Sequence, residues 1–199
     1  MEDFTSFFLI LICITIFYLY LENKASEVTY VKQGKIEYLV RNLPDKEEAA
    51  LLLSKIRSRL STIVETLDEE IKTDKNKYDK TTIQSIKRLK SNYKPNNITE
   101  SSPGNKYTSY SINKGDKIVF CLRSKTADNT LVDLNTMMFV AIHELAHLMT
   151  KSIGHTPEFW DNMRFLLKKG IELKLYKKHD YSTTPKDYCG TKITDSPLN

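Results

Sequence analysis

Apolar and polar positions change rhythm several times along this chain, and each change marks an expected element. From Phe4 to Leu21, eighteen residues pass without a charge, the short end of what spans a bilayer as a helix. Val28 to Arg41 is rich in β-branched and aromatic residues around Gly34 and predicts a short strand pair. Pro44-Asp45-Lys46-Glu47-Glu48 then opens a helical pattern, since proline and acids suit a first turn. Within it Leu52, Leu53, Ile56, Leu60, Ile63, Val64 and Leu67 recur at three- and four-residue steps, giving one apolar stripe. A second helix is predicted over Tyr78 to Leu89, ending before Pro95. Both helices read most simply as scaffold, with a partner-binding surface as the alternative.

The second half is more finely divided. Asn96 to Asn105, with Ser101-Ser102-Pro103-Gly104, predicts a loop. Tyr107 to Ile112 alternates, Asn113-Lys114-Gly115-Asp116 predicts a turn, and Lys117 to Leu122 returns as a second strand. Such a hairpin either pairs with an extended substrate or simply covers the core. Asp133-Leu134-Asn135 begins the next helix, with Asn135 as its expected N-cap. Phe139, Ile142, Leu145, Ala146 and Met149 form its core side, and His143 and His147 share a neighbouring stripe. Gly154 ends that segment, and Thr156-Pro157-Glu158 supply N-cap, N1 and N2 of a further helix through about Lys169. The tail from Tyr176 to Asn199 either packs across the domain or stays flexible.

Length and composition set limits on this picture. A chain of 199 residues suffices for one domain with a real core and is too short for two comfortable ones. The expected division is an anchor over 1–21, one main domain over 22–175 and a tail over 176–199. Glu2 and Asp3 stand where a cleaved signal peptide carries basic residues, and no small-residue cleavage site follows the apolar run. The run is therefore read as a single-pass anchor that enters the bilayer through residues 4–21. Lys24, Lys32 and Lys35 follow it, so the positive-inside rule places the C-terminal domain in the cytosol. Cysteine usage points the same way: Cys13 lies in the span, and Cys121 and Cys189 alone make no disulfide framework. Asn97-Ile98-Thr99 matches a glycosylation acceptor, which matters only if the domain faces a lumen.

The formal net charge is +5. The bases are scattered through Lys72–Lys94 and Lys168–Lys178 with acids among them, which describes a solvated surface. No nucleic-acid motif or stacking platform accompanies them, so nucleic acid is disfavoured as a partner.

Candidate chemistry concentrates in His143-Glu144-Leu145-Ala146-His147, followed by His155. Residues i and i+4 lie one above the other on a helix, so His143 and His147 can bind one metal ion. His155 sits at a helix–turn–helix corner, where a short connection can fold it back towards them. Catalytic zinc typically takes three protein ligands and leaves one position open, and Glu144 is placed to take a proton from water there. Glu158 and Glu172 are the other candidates for third ligand, with Glu158 the better placed to help from behind His155. His179 lies in the tail, and nothing in the spacing of Cys189 requires it as a fourth ligand. A tyrosine of the tail, Tyr181 or Tyr188 among them, could stabilise an oxyanion.

H-E-L-A-H followed by G-H-x-P-E-F resembles the active-site signature of WLM and SprT-like zinc metallopeptidases, over Leu134 to Leu167. The whole chain is also similar to membrane-anchored WLM-type proteins of large DNA viruses. Tyr38-Leu39-Val40-Arg41-Asn42-Leu43-Pro44, Lys114-Gly115-Asp116-Lys117-Ile118-Val119 and Tyr188-Cys189-Gly190 carry that wider likeness. The resemblance implies an α+β fold: a zincin-like domain with an active-site helix and a small antiparallel sheet, preceded by one transmembrane helix. It implies His143, His147 and His155 as Zn2+ ligands, Glu144 as general base, and a protein or peptide as substrate. Soluble members are associated with proteolysis of proteins crosslinked to DNA, a role from which the anchor and the missing DNA-binding tail depart. The expectation is a membrane-anchored zinc metallopeptidase in a host or virion membrane. The alternative is a non-catalytic zinc-binding membrane or virion protein.

Overall fold

The computed structural model describes residues 2–24, 26–125 and 128–199. Its first half contains α1 (Glu2–Lys24), the hairpin β1 (Val28–Gln33) and β2 (Ile36–Arg41), α2 (Lys46–Thr73) and α3 (Lys80–Asn92). Three short strands follow, β3 (Ile98–Glu100), β4 (Tyr110–Ile112) and β5 (Lys117–Phe120). Then come α4 (Leu134–Met149), α5 (Pro157–Glu172) and a last hairpin, β6 (Lys186–Tyr188) and β7 (Thr191–Ile193). The mixed α+β class agrees with the sequence.

Helix α1 stands apart from the core. Its stretch Thr5–Glu22 has a mean hydropathy of 2.0 and is 0% buried. Among the described residues it is the one helix long and apolar enough to cross a membrane.

The core is built around α2 and α4. The stripe read in the sequence is the buried face of α2, where Leu53, Ile56, Leu60, Ile63 and Leu67 are fully enclosed. Pro44 lies just outside this helix. Asp45 stands at the N-cap position without capping, because its carboxylate accepts from Arg123 Nη1 at 2.5 Å instead. Helix α3 starts later than expected, where Asp79 Oδ1 accepts from the Thr81 and Thr82 amides at 2.8 and 3.0 Å.

The three-stranded sheet runs β3-β5-β4. Strand β4 is antiparallel to β5, but β3 is parallel to it, so the sheet is mixed rather than antiparallel. Strand β3 also lies inside the segment expected to be loop. Three residues cannot display a period, and its pairing partner Ile118 is far along the chain.

The tail packs. Tyr176, Tyr181, Tyr188 and Cys189 are all buried, and β6 and β7 form a hairpin across Cys189-Gly190, both at positive φ (50° and 78°). That turn brings Cys189 to Cys121 at the end of β5, and the two form a disulfide with Cα atoms 6.1 Å apart. This one bond corrects the use of the two cysteines, which alone make no disulfide framework, as a pointer to a reducing compartment. A separation of 68 residues announces nothing until the hairpin closes it.

Candidate metal centre

Helix α4 carries the centre and is anchored at both ends. Asp133 rather than Asn135 is its N-cap: Oδ1 accepts from the Asn135 and Thr136 amides at 3.0 Å each. Asn135 instead exchanges two hydrogen bonds with Lys177, at 2.9 and 2.8 Å, and fastens the tail. Between the ends nearly every side chain is buried, so the two half-buried histidines, His143 and His147, mark the one face open to chemistry. Helix α5 begins as expected, with Thr156 at the N-cap and Pro157 in the first turn. The six residues from Thr150 to His155 turn the chain between the helices, with Gly154 in the left-handed region at φ 82°.

That turn folds His155 back over α4. Its Nε2 lies 3.1 Å from His143 Nε2, and His147 Nε2 lies 3.2 Å from the same atom. The ligand atoms of the three imidazoles all fall within 4.8 Å of one another. Zinc–nitrogen bonds of about 2.05 Å in a tetrahedron separate neighbouring nitrogens by about 3.3 Å, so the donor set fits such an ion. Phe159, fully buried, floors the cluster: its ring centre lies 4.8, 4.4 and 4.7 Å from those of His143, His147 and His155. Trp160 flanks His155 with ring centres 5.5 Å apart.

Electrostatics agree with that fit. Burial, helped by the other two imidazoles, pushes His143 down to about 3. Burial, His155 and the Lys114 ammonium push His147 down to about 4. Both rings are therefore neutral at pH 7, the form that offers a lone pair to a metal. Glu144 is 3% exposed, and burial pushes its carboxyl up to about 8. Its Oε2 has no hydrogen-bond partner. A buried carboxylate oxygen left unsatisfied beside three convergent imidazoles is a place for water and a cation.

The remaining candidates have other occupations. Glu158 accepts the Lys151 and Ser152 amides at 2.9 and 3.2 Å, in the turn that leads to His155. Glu172 pairs with Lys169 at 2.8 Å. The imidazole of His179 meets the Thr184 carbonyl at 2.7 Å. Cys189 is spent in its disulfide. Tyr181 packs on Phe139, ring centres 4.6 Å apart. The Tyr188 hydroxyl bonds Ser109 Oγ at 2.5 Å, and burial, with the nearby Glu144 carboxylate, holds the phenol far above its ordinary value. Sequence reasoning quoted Phe159 and Lys114 within motifs without giving either a role. An aromatic one turn past a candidate ligand was the available signal for Phe159. For Lys114 there was none.

The chain is 39% identical over 194 residues to "Uncharacterized protein R325" of Acanthamoeba polyphaga mimivirus, spanning 96% of this chain and 94% of that one. It is 36% identical over 84 residues to "Uncharacterized protein 136R" of Invertebrate iridescent virus 6, covering 41% of this chain and 44% of the relative. No solved structure matches it. The WLM domain model matches residues 77–197, the part that holds all three histidines and the buried glutamate. With a relative of this similarity along nearly the whole length, the chain belongs to the WLM domain family.

Proposed function

We propose that this protein is a membrane-anchored zinc metallopeptidase, with His143, His147 and His155 as ligands and Glu144 as general base. The observation that carries the reading is the pairing of three convergent neutral imidazoles with a buried, unpartnered carboxylate oxygen. Membership of a family associated with zinc proteases supports it. A zinc ion held there supplies a Lewis acid and lowers the pKa of a water towards neutrality. The chain's own residues do the rest. Phe159 and the α4 backbone fix the ring planes, and Glu144, whose raised carboxyl would ionise beside a bound cation, takes a proton from the attacking water through Oε2 and returns it to the departing amine.

Helix α1 inserts in the bilayer and confines the site to its surface. The Cys121–Cys189 disulfide favours an oxidising environment for the domain, against the three lysines that follow α1. Protease protection of intact vesicles tests the side.

The function is tested on the full chain in detergent micelles, by metal analysis and by hydrolysis of an unfolded protein such as casein. The reading expects one zinc per chain, hydrolysis that stops on chelation and returns with zinc, and hydrolysis slowed by orders of magnitude in Glu144→Gln with zinc retained. Zinc retained without hydrolysis in the parent supports a zinc-stabilised display module instead.

A further inference from the structure

The geometry points to Lys114 as a positioning residue that sets the third ligand, His155, from a different element of the fold. The inference rests on the metal reading above.

The corner between α4 and α5 has no apolar reason to hold its shape. Lys151, Ile153, Gly154 and His155 are all exposed, and Ile153 is 89% so. Polar contacts to its backbone hold it instead, and they can be followed one by one. Asn92 Nδ2 donates to the Leu148 carbonyl at 2.9 Å and Arg88 Nη1 to that of Met149 at 2.7 Å. The next three carbonyls, Thr150, Lys151 and Ser152, all accept from Lys114 Nζ, at 2.7, 2.7 and 2.9 Å. The matching amides of Lys151 and Ser152 go to Glu158. His155 lies three residues beyond the last of these carbonyls.

Lys114 is itself held rigidly. It sits in the β4–β5 turn at φ 53°, beside Gly115 at φ 118°. A Cβ on Gly115 would come 2.1 Å from the Asn92 carbonyl oxygen, so the turn is pressed directly onto α3. The ammonium thus reaches the corner from a fixed point, and as a cation at the C-terminus of α4 it also complements the helix dipole. An ammonium has three N–H groups, and all three are engaged. Lys114 therefore has no donor left for a developing oxyanion. Its role is to fix the path of the chain that delivers His155.

The test uses the full chain in detergent micelles, with zinc affinity measured by chelator competition and ligation read from the cobalt(II) absorption spectrum. Lys114→Met keeps the apolar stem and removes the donors. It is expected to weaken zinc binding about 10- to 100-fold, the usual effect of losing a group that orients a ligand. Its cobalt spectrum should move towards that of His155→Ala. In a His155→Ala background the same change should cost nothing further, since the ligand it positions is gone. Lys114→Arg, with its own N–H fork, should recover part of the affinity. Lys114→Gln, which keeps two N–H groups, is judged by the same ratio if the methionine variant does not fold. A Lys114→Met chain that binds zinc within twofold of the parent, with an unchanged cobalt spectrum, overturns the inference. So does an equal loss in both backgrounds, which marks a merely structural lysine. A parent that binds no zinc removes the metal reading itself, and this inference with it.

Discussion

Glu100 and Glu144 are almost equally hidden, at 4% and 3% exposure, yet their surroundings are opposite. Glu100, on β3, uses both oxygens: Oε1 accepts from Arg123 Nε at 2.8 Å and Oε2 from the Arg41 amide at 2.7 Å. Arg123 reaches on to Asp45, so one buried cation ties β3 and the β5 end to the start of α2. Burial pushes both carboxyls up, but for Glu100 the Arg41 amide and the Arg123 guanidinium pull back against it, whereas Glu144 has no such partner for Oε2 and rises to about 8 on burial alone. Burial alone therefore says nothing about role. A buried acid with both oxygens answered is part of the scaffold, and one with an oxygen left unanswered beside three convergent imidazoles calls for an explanation of another kind.

The contrast can be broken at either end. Glu144→Gln is expected to lower the rate of peptide hydrolysis by about 10²- to 10⁴-fold with zinc content unchanged, whereas Glu100→Gln leaves the rate per folded, zinc-loaded molecule as it was. Equal losses of rate in the two variants would erase the distinction.

Stability should respond in the other order. Glu100→Gln leaves Arg123 buried with one ionic partner fewer and should cost about 3 kcal/mol, read as a lower urea midpoint. That is the low end for a broken buried pair, because Asp45 still faces the guanidinium.

Glu144→Gln should stabilise the metal-free chain, and pH supplies the sign. A carboxyl raised from 4.5 to about 8 on folding keeps a proton that the unfolded chain releases between those values. Its favourable contribution is present at low pH and lost as pH rises towards 8. The metal-free Gln variant should therefore melt several degrees above the parent at pH 8 and close to it at pH 5. His143 and His147, lowered to about 3 and 4, act in reverse: the metal-free fold loses stability as pH falls from about 6.5. Melting curves across pH 4 to 8, with zinc chelated, check both signs.

The smallest effect belongs to the support of the third ligand. Thr156→Ala removes the N-cap of α5, whose bond to the Phe159 amide is a long 3.4 Å. It should cost about 0.5–1 kcal/mol, seen as a small drop in Tm.

What could be read beforehand was local. His143, Glu144 and His147 lie within one helical turn or so of each other, and Thr156-Pro157 marks a helix start by chemistry confined to three residues. The α2 stripe was legible for the same reason, because a period of 3.6 repeats along one element. What escaped depends on partners distant in the chain. Strand β3 is defined by pairing with β5, the Cys121–Cys189 bond spans 68 residues, and Lys114 answers carbonyls 36 to 38 positions away. The N-cap of α4 is a subtler miss, since Asp133 and Asn135 are both good capping residues. Asp133 holds the position because its carboxylate reaches two amides at once.

The disulfide turns the stretch from Cys121 to Cys189 into a covalent ring that contains α4, α5, all three histidines and Glu144. A chain that is cut once inside that ring remains one molecule. Both halves of the centre stay joined to α1, and a nick appears on a gel only after reduction.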